Sequence, residues 1–425
     1  METNTRPHKR GRTITPPPGT AAAIPNDVLF SHVFLKLPVK SLLRFKAVCR
    51  SWRAAVDDPA FVRRHLELSR TAIRPPLPSL LVIPSKDDVY NDPNALFEDV
   101  NIHRLRLDTA ETDLMVDKAF RNEIACRFLP THCDGLVAIA NETGPVFVCN
   151  PATREVVELP LGSPDAKEES YHGPDPQAAI GFDPWHNRYY VSRYFYRKYD
   201  ELFDEDAGMA TLDYDIGHEI FTLGGGRWEA TRDPPRPIHS NGRTPACTGS
   251  GAIYWFLAEL EPYALLKFSL RDETFDLVNP PPGCTAGVFD RDYMIGIAGQ
   301  LYYVHRDDQI CPKNLDVWVA ADDIESLRYH VDLRNDPADH LGMHGFMPVV
   351  SFGGGDETTT LLFVLSRELF IYDVRTESFV KVIDAQTELR YERPDGSRYT
   401  CDPTDTMHYV LPYVESIISI RARNY

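Results

Sequence analysis

Residues 268–278, FSLRDETFDLV, place apolar and β-favouring side chains on either side of a short polar centre, the pattern of a strand, a tight turn and a returning strand. The same form recurs at residues 149–160 (CNPATREVVELP), 214–231 (YDIGHEIFTLGGGRWEAT), 320–333 (AADDIESLRYHVDL) and 372–382 (YDVRTESFVKV). Aligning the apolar residue after each turn brings Val156, Trp228, Phe275, Leu327 and Phe379 into register, with steps of 72, 47, 52 and 52 residues. A unit of about 50 residues cannot bury two apolar strand faces alone, so successive units must stack and share that burial. The repeat predicts the blades of a β-propeller, each a four-stranded sheet.

Outward from these turns, runs such as SLLVI (79–83), GLVAIA (135–140), RYYVSRYFY (188–196), AIYWFL (252–257) and QLYYV (300–304) are β-branched and aromatic and are bounded by Gly, Pro, Asn and Asp. A period near 50 residues is that of kelch-like propellers. The long first step contains residues 160–177, PLGSPDAKEESYHGPDPQ, a polar and proline-rich surface insertion whose removal nearly restores the period. The roughly 350 residues after Thr71 allow up to seven units, and the irregular stretch 91–123 lowers the expectation to five or six blades. Pairing of Glu415 to Ile420 with Ser79 to Ile83 is expected to close the ring and remove its free edges.

Upstream, residues 1–22 carry Arg6, Lys9, Arg10 and Arg12 followed by Pro16 to Pro18, without apolar periodicity, and read as a disordered tail. From Ile24 the pattern is helical. Asn26 can cap a first helix, Pro38 ends it and opens the next, and Leu42, Phe45, Val48, Cys49, Trp52 and Val56 follow offsets of 3, 3, 1, 3 and 4. A segment this short cannot bury all of Ile24, Leu29, Val33, Leu35, Leu37, Val39, Leu42 and Leu43 within itself, so part of that surface must face a partner.

The string IPNDVLFSHVFLKLPVKSLLRFKAVCRSWRAAVDDPAFVRRHLELS, residues 24–69, resembles an F-box along its whole length, including LPVKSLLRFKAVCRSW and the trailing DPAF. That resemblance implies a three-helix module docking on a Skp-family adaptor, and through it on cullin and RING subunits of an SCF-type ubiquitin ligase. It implies that Ile24, Pro25, Leu29, Val33, Leu37, Pro38, Val39, Leu42 and Leu43 face the adaptor, while Val48, Cys49 and Trp52 hold the module together. Downstream, GLVAIA, VFVCNPATREVVELP, IGFDPWHNRYYVSRYF, GAIYWF, LLKFSLRDETFDL, GIAGQLYYV, LDVWVA and YVESIISI are similar, in order, to the landmarks of the plant F-box-associated domain, which usually has a tryptophan where this chain has Leu327. The fold class is thus α+β multidomain: a tail (1–22), an F-box (24–69) and an all-β kelch-like β-propeller of five to six blades (71–425).

Chemistry is absent from the pattern. No GxSxG, GxxxxGK[ST] or HExxH string occurs, and Gly224 to Gly226 and Gly353 to Gly355 fit hairpin turns. The eight cysteines contain no CxxC pair and read as free, mostly buried thiols in a reducing compartment; His132 and Cys133 with Cys126 and Cys149 match no standard metal spacing. No catalytic residue, metal or cofactor is expected. The balance of 45 basic and 62 acidic residues, a net −17, disfavours nucleic acid. No apolar run approaches a membrane span, the N-terminus lacks the apolar core of a secretory signal, and the expected location is cytoplasmic or nuclear. The sequon at Asn141 is read as chance.

Two open questions remain at this level. The run Asp200-Glu201-Leu202-Phe203-Asp204-Glu205-Asp206 is either a solvated inter-strand loop or a recognition loop, and the substrate-binding residues are unknown. The expected function is recruitment of a target protein for ubiquitination, without catalysis by this chain. The alternative is an adaptor-independent interaction scaffold or glycan-binding propeller.

Overall fold

The computed structural model describes residues 28–71, 79–86, 96–125, 130–140, 145–164, 178–204, 209–238, 244–257, 264–282, 284, 292–297, 299–307, 314–320, 327–333, 346–352, 360–365, 368–384, 387–401 and 406–421. Residues 1–27, which include Ile24, Pro25 and the basic tail, lie outside them.

A π-helical turn (Leu29–Val33) runs into a 3-10 turn (Phe34–Lys36), followed by α1 (Val39–Phe45), α2 (Arg50–Val56) and α3 (Pro59–Thr71). Asp58 starts α3 by accepting hydrogen bonds from the backbone N–H groups of Ala60 (2.8 Å) and Phe61 (3.2 Å), and Pro59 occupies the first helical position, where no donor is needed.

Six four-stranded antiparallel sheets follow. Blade 1 contains β1 (Leu80–Lys86), β2 (Leu96–Arg106) and β3 (Glu111–Ala125); blade 2 contains β4 (Thr131–Cys133), β5 (Leu136–Ile139), β6 (Phe147–Asn150) and β7 (Glu155–Glu158). Blade 3 is built of β8 (Ala178–Asp183), β9 (Arg188–Asp204), β10 (Met209–Thr222) and β11 (Trp228–Ala230). Blade 4 is β12 (Ala246–Cys247), β13 (Ala252–Phe256), β14 (Leu265–Ser269) and β15 (Thr274–Val278). Blade 5 is β16 (Asp292–Ile297), β17 (Gln300–Arg306), β18 (Asn314–Ala320) and β19 (Leu327–Asp332). Blade 6 is β20 (Phe346–Phe352), β21 (Thr360–Leu365), β22 (Glu368–Asp373) and β23 (Ser378–Asp384). A two-stranded hairpin, β24 (Tyr391–Glu392) with β25 (Arg398–Tyr399), precedes β26 (Thr406–Pro412), which returns as the innermost strand of blade 1.

The five aligned landmarks Val156, Trp228, Phe275, Leu327 and Phe379 all fall on outermost strands, one in each of blades 2 to 6. In blades 2, 4 and 6 the turns share a backbone form. Arg154, Glu273 and Glu377 have φ of 60°, 51° and 50°, four residues after Asn150, Ser269 and Asp373, whose side chains accept hydrogen bonds from backbone N–H groups within the turn. Blade 1 supplies the unit the repeat misses. The stretch 91–123, read as irregular, contains most of the long β2–β3 hairpin, paired from Leu96 opposite Ala125 to Arg106 opposite Glu111. Closure also shifts from its expected place: Leu80 to Lys86 pair with Pro412 to Thr406, and Glu415 to Ile420 form no strand.

The core lies between blades. Six apolar clusters fill the six junctions; Leu362, Leu369 and Ile383 of blade 6 meet Leu80, Val82 and Val410 of blade 1, for example, and Tyr254 and Phe256 of blade 4 meet Leu301 and Tyr303 of blade 5. Each fully buried large side chain contributes about 1.5–3 kcal/mol, so every blade depends on both neighbours. The innermost strands β4, β8, β12, β16, β20 and β26 contact one another in that order around a central channel.

Candidate functional site

The helical segment is held by an aromatic cluster. Phe34 meets Phe30, Phe45 and Trp52 with ring centroids 4.8, 5.0 and 4.9 Å away, and Val39, Leu42 and Val56 complete the core. Leu42 is 0% exposed and Val39 is buried with it, so in this arrangement both of these expected adaptor-facing residues pack inside the module. Leu29, Leu37 and Leu43 are half-buried around the same cluster, Pro38 is exposed, and Val33 is 41% exposed. Of the three expected core residues, only Trp52 packs inward. Val48, 61% exposed, and Cys49 lie on the turn between α1 and α2, where helical spacing no longer dictates which way a side chain faces. The large apolar side chains left exposed on the segment are Val28 (41%), Val33, Val48 and Leu68 (39%).

The segment is seated on blade 2 by residues that spacing did not single out. After β26, residues 413–420 run as an extended strap between the helices and the propeller. Ile417 enters the helical core, while Ile418 and Ile420 enter the blade 2 and 3 junction together with Leu66 of α3. Asn150 donates from its amide to the carbonyls of Ser416 (3.0 Å) and Ile418 (2.7 Å), and Glu155 accepts from the Ile420 N–H (3.1 Å). Glu415 accepts from the Val39 N–H at the start of α1 (3.1 Å) and from Arg104 of blade 1 (2.9 Å). At the end of α3, Arg70 donates to Asp134, which also accepts from the Tyr189 hydroxyl (2.8 Å). Gly135 adopts φ +81°, and a Cβ there would collide with the Val414 carbonyl oxygen, so glycine is what lets the strap cross blade 2.

The same end of the channel holds a cavity of about 70 Å³ whose lining includes Arg70, His132, Cys133, Asp134, Cys247 and Tyr413. Burial pushes His132 down to about 4, so it is neutral. A hydrogen bond with Cys247 and burial hold the Cys133 thiol well above its usual range. Neither group is activated as a nucleophile, since that needs a thiolate. Among the described residues no group of three or more His, Cys, Asp or Glu could hold a metal ion, and no helix is long and apolar enough to cross a membrane.

The remaining sequence candidates divide. Asp200 to Asp204 are part of strand β9 rather than a loop. Gly224 and Gly225 form the expected turn, in which the Gly225 N–H donates to the Thr222 carbonyl (2.8 Å). Gly353 to Gly355, the sequon at Asn141, Cys126 and the insert from Asp165 to Gln177 lie outside the described residues.

Comparison with known proteins assigns both parts of the chain. Residues 21–68 match the F-box-like family, and residues 101–328, more than half the chain, match the family described as F-box associated beta propeller domain. Several Arabidopsis thaliana proteins are similar. The F-box protein At1g11270 is 25% identical over 265 residues, covering 61% of this chain and 76% of its own. The F-box protein At5g10340 is 22% identical over 410 residues, covering 92% and 81%. The F-box/LRR-repeat/kelch-repeat protein At1g09650 is 26% identical over 278 residues, covering 63% and 67%. Two further F-box relatives, 27% and 26% identical, are spanned over only 60% and 61% of their own length.

Proposed function

Since the chain belongs to the family with the F-box associated β-propeller domain, we propose that it is the target-recognition subunit of an SCF-type ubiquitin ligase. The helical module would dock on a Skp-family adaptor, and the propeller would hold a target protein so that a separate catalytic subunit transfers ubiquitin at high effective concentration. This chain positions and does not catalyse. The observation that carries the reading is an F-box-like module whose Val28, Val33, Val48 and Leu68 stay exposed although Ile417 and Leu66 seat it on the propeller. Exposed apolar side chains on so small a module fit a protein partner, while Val39 and Leu42 belong to its core.

The test is co-purification of the full chain with a Skp-type adaptor, beside Val33→Asp with Val48→Asp. An introduced charge that must be desolvated at an interface is costly, so the double variant should lose the complex, by at least tenfold in affinity, while keeping its melting temperature. Leu42→Asp is unsuitable because it destroys the module's own core. Removing residues 24–69 is equally unsuitable, because it strips cover from Ile417. Failure of the unaltered chain to bind any adaptor would favour a free-standing scaffold or glycan-binding propeller.

A further inference from the structure

The helical module and strap sit on one face of the ring. Arg70 meets Asp134 in the turn from the first to the second strand of blade 2, and Asn150, which begins the turn from its third to its fourth strand, holds the strap. The connections between second and third strands, and those between blades, therefore emerge on the opposite face. There blade 3 overreaches. Its inner strand β8 begins at Ala178 opposite Arg193, yet β9 continues through Asp204, eleven residues beyond, paired with β10 as far as Met209. At about 3.3 Å per residue this is a two-stranded ribbon of roughly 35 Å. Along residues 194–204 of β9 and 209–217 of β10, no further strand lies beside the ribbon among the described residues. A ribbon of this kind is marginal alone, and its open edges are templates for another strand.

Register sorts the ribbon's residues. Across a bulge between Asp215 and Ile216 the backbone pairs Tyr196 with Ile216, Tyr199 with Tyr214 and Glu201 with Leu212. The alternate backbone pairs are Lys198 with Asp215, Asp200 with Asp213 and Leu202 with Thr211. Arg197 is bonded to Asp215 and Asp233, and Lys198 to Asp213. Asp200, Glu201 and Asp204 leave the outer part of the ribbon net negative.

We propose that the β9–β10 ribbon is the target-docking element, and that it takes a basic, extended protein segment as an added strand. The inference rests on the target-recognition reading above and adds its face and its chemistry. Main-chain hydrogen bonds would supply affinity, and the acidic residues would select Lys- and Arg-rich strands over acidic ones.

The experiment uses the full chain and a fluorescein-labelled peptide alternating Arg and Thr, against a counterpart alternating Glu and Thr. Anisotropy should show at least tenfold tighter binding of the basic peptide, weakened at least tenfold by methylation of alternate peptide amides. Hydrogen exchange should show protection of backbone amides at 199–204 or 209–214 when the basic peptide is added. A shortened chain in which an Asn-Gly turn joins Lys198 to Asp215 should lose this binding and keep the adaptor. Equal binding of both peptides, unchanged exchange in the ribbon, or undiminished binding by the shortened chain overturns the proposal. So does ribbon protection already present in the chain alone and lost on removing residues 1–22, which would assign the edge to the basic tail. Loss of adaptor binding by the unaltered chain counts against the ligase reading instead.

Discussion

His218 shows how the interior sets a response to acid. Its ring nitrogens meet the hydroxyls of Ser192 (2.7 Å) and Thr231 (2.5 Å), and burial pushes it down to about 3. His103 is pushed down to about 4 by burial and by Arg398. Both are neutral in the fold, whereas an unfolded histidine takes up its proton near pH 6.5. Stability is therefore full above that value and lost as the pH falls toward 4, by about 1.4 kcal/mol per unit for each histidine. Urea midpoints should fall between about pH 7 and about pH 5, and His218→Gln should flatten the dependence; equal slopes would contradict the assignment. Trp52 was legible as a core residue because helical spacing holds through α2. Val48 and Cys49 were not, because residues 46–49 leave the helix and the apolar phase is lost there. Val39 and Leu42 carry the signature of a docking face, yet whether such residues touch a partner or each other depends on packing that a single pattern does not encode.

At the scale of elements, the turn-opening residues Asn150 and Asp373 look alike and do different work. Asp373 accepts from the N–H groups of Arg375 and Thr376 at an exposed turn, where water can replace it, so Asp373→Ala should lower stability only slightly. Asn150 is fully buried and also donates to the strap, so Asn150→Ala leaves two carbonyls without their donor and should cost about 2–4 kcal/mol. Chemical denaturation measures the difference, and hydrogen exchange in residues 39–45 and 416–420 should rise only in the Asn150 variant. The repeat was legible wherever a turn opens on Asn, Ser or Asp. In blade 1 the corresponding turn opens on Arg106, with Ala110 at φ 54°, and carries no such mark. The strap was misread as a strand because YVESIISI has strand-like composition, while its hydrogen bonds go to the side chains of Asn150 and Glu155.

At the scale of the molecule, the ring is closed by seven antiparallel pairs between β1 and β26. Val410 lies in the blade 6 and 1 cluster, so Val410→Asp would bury an unpaired charge and should cost about 3–5 kcal/mol. Because every blade leans on two neighbours, thermal unfolding should remain one cooperative step at a lower temperature; separate melting of blade 1 would contradict that dependence. The propeller, its sheet size and its approximate blade number could be read from a period, since stacking requires each unit to repeat the same apolar surfaces. The seat of the helical module could not, because it joins Glu415 to Arg104 and Val39 across hundreds of residues. One feature ties closure to that seat: β26 and the strap are consecutive, residues 406–420, so a single stretch completes the ring and mortises the module to it. On the ribosome this stretch emerges after blades 2 to 6 and the other three strands of blade 1. A polypeptide released before it is made has a gaping sheet edge and an unmoored module together, so premature termination yields material for quality control rather than a partly working protein.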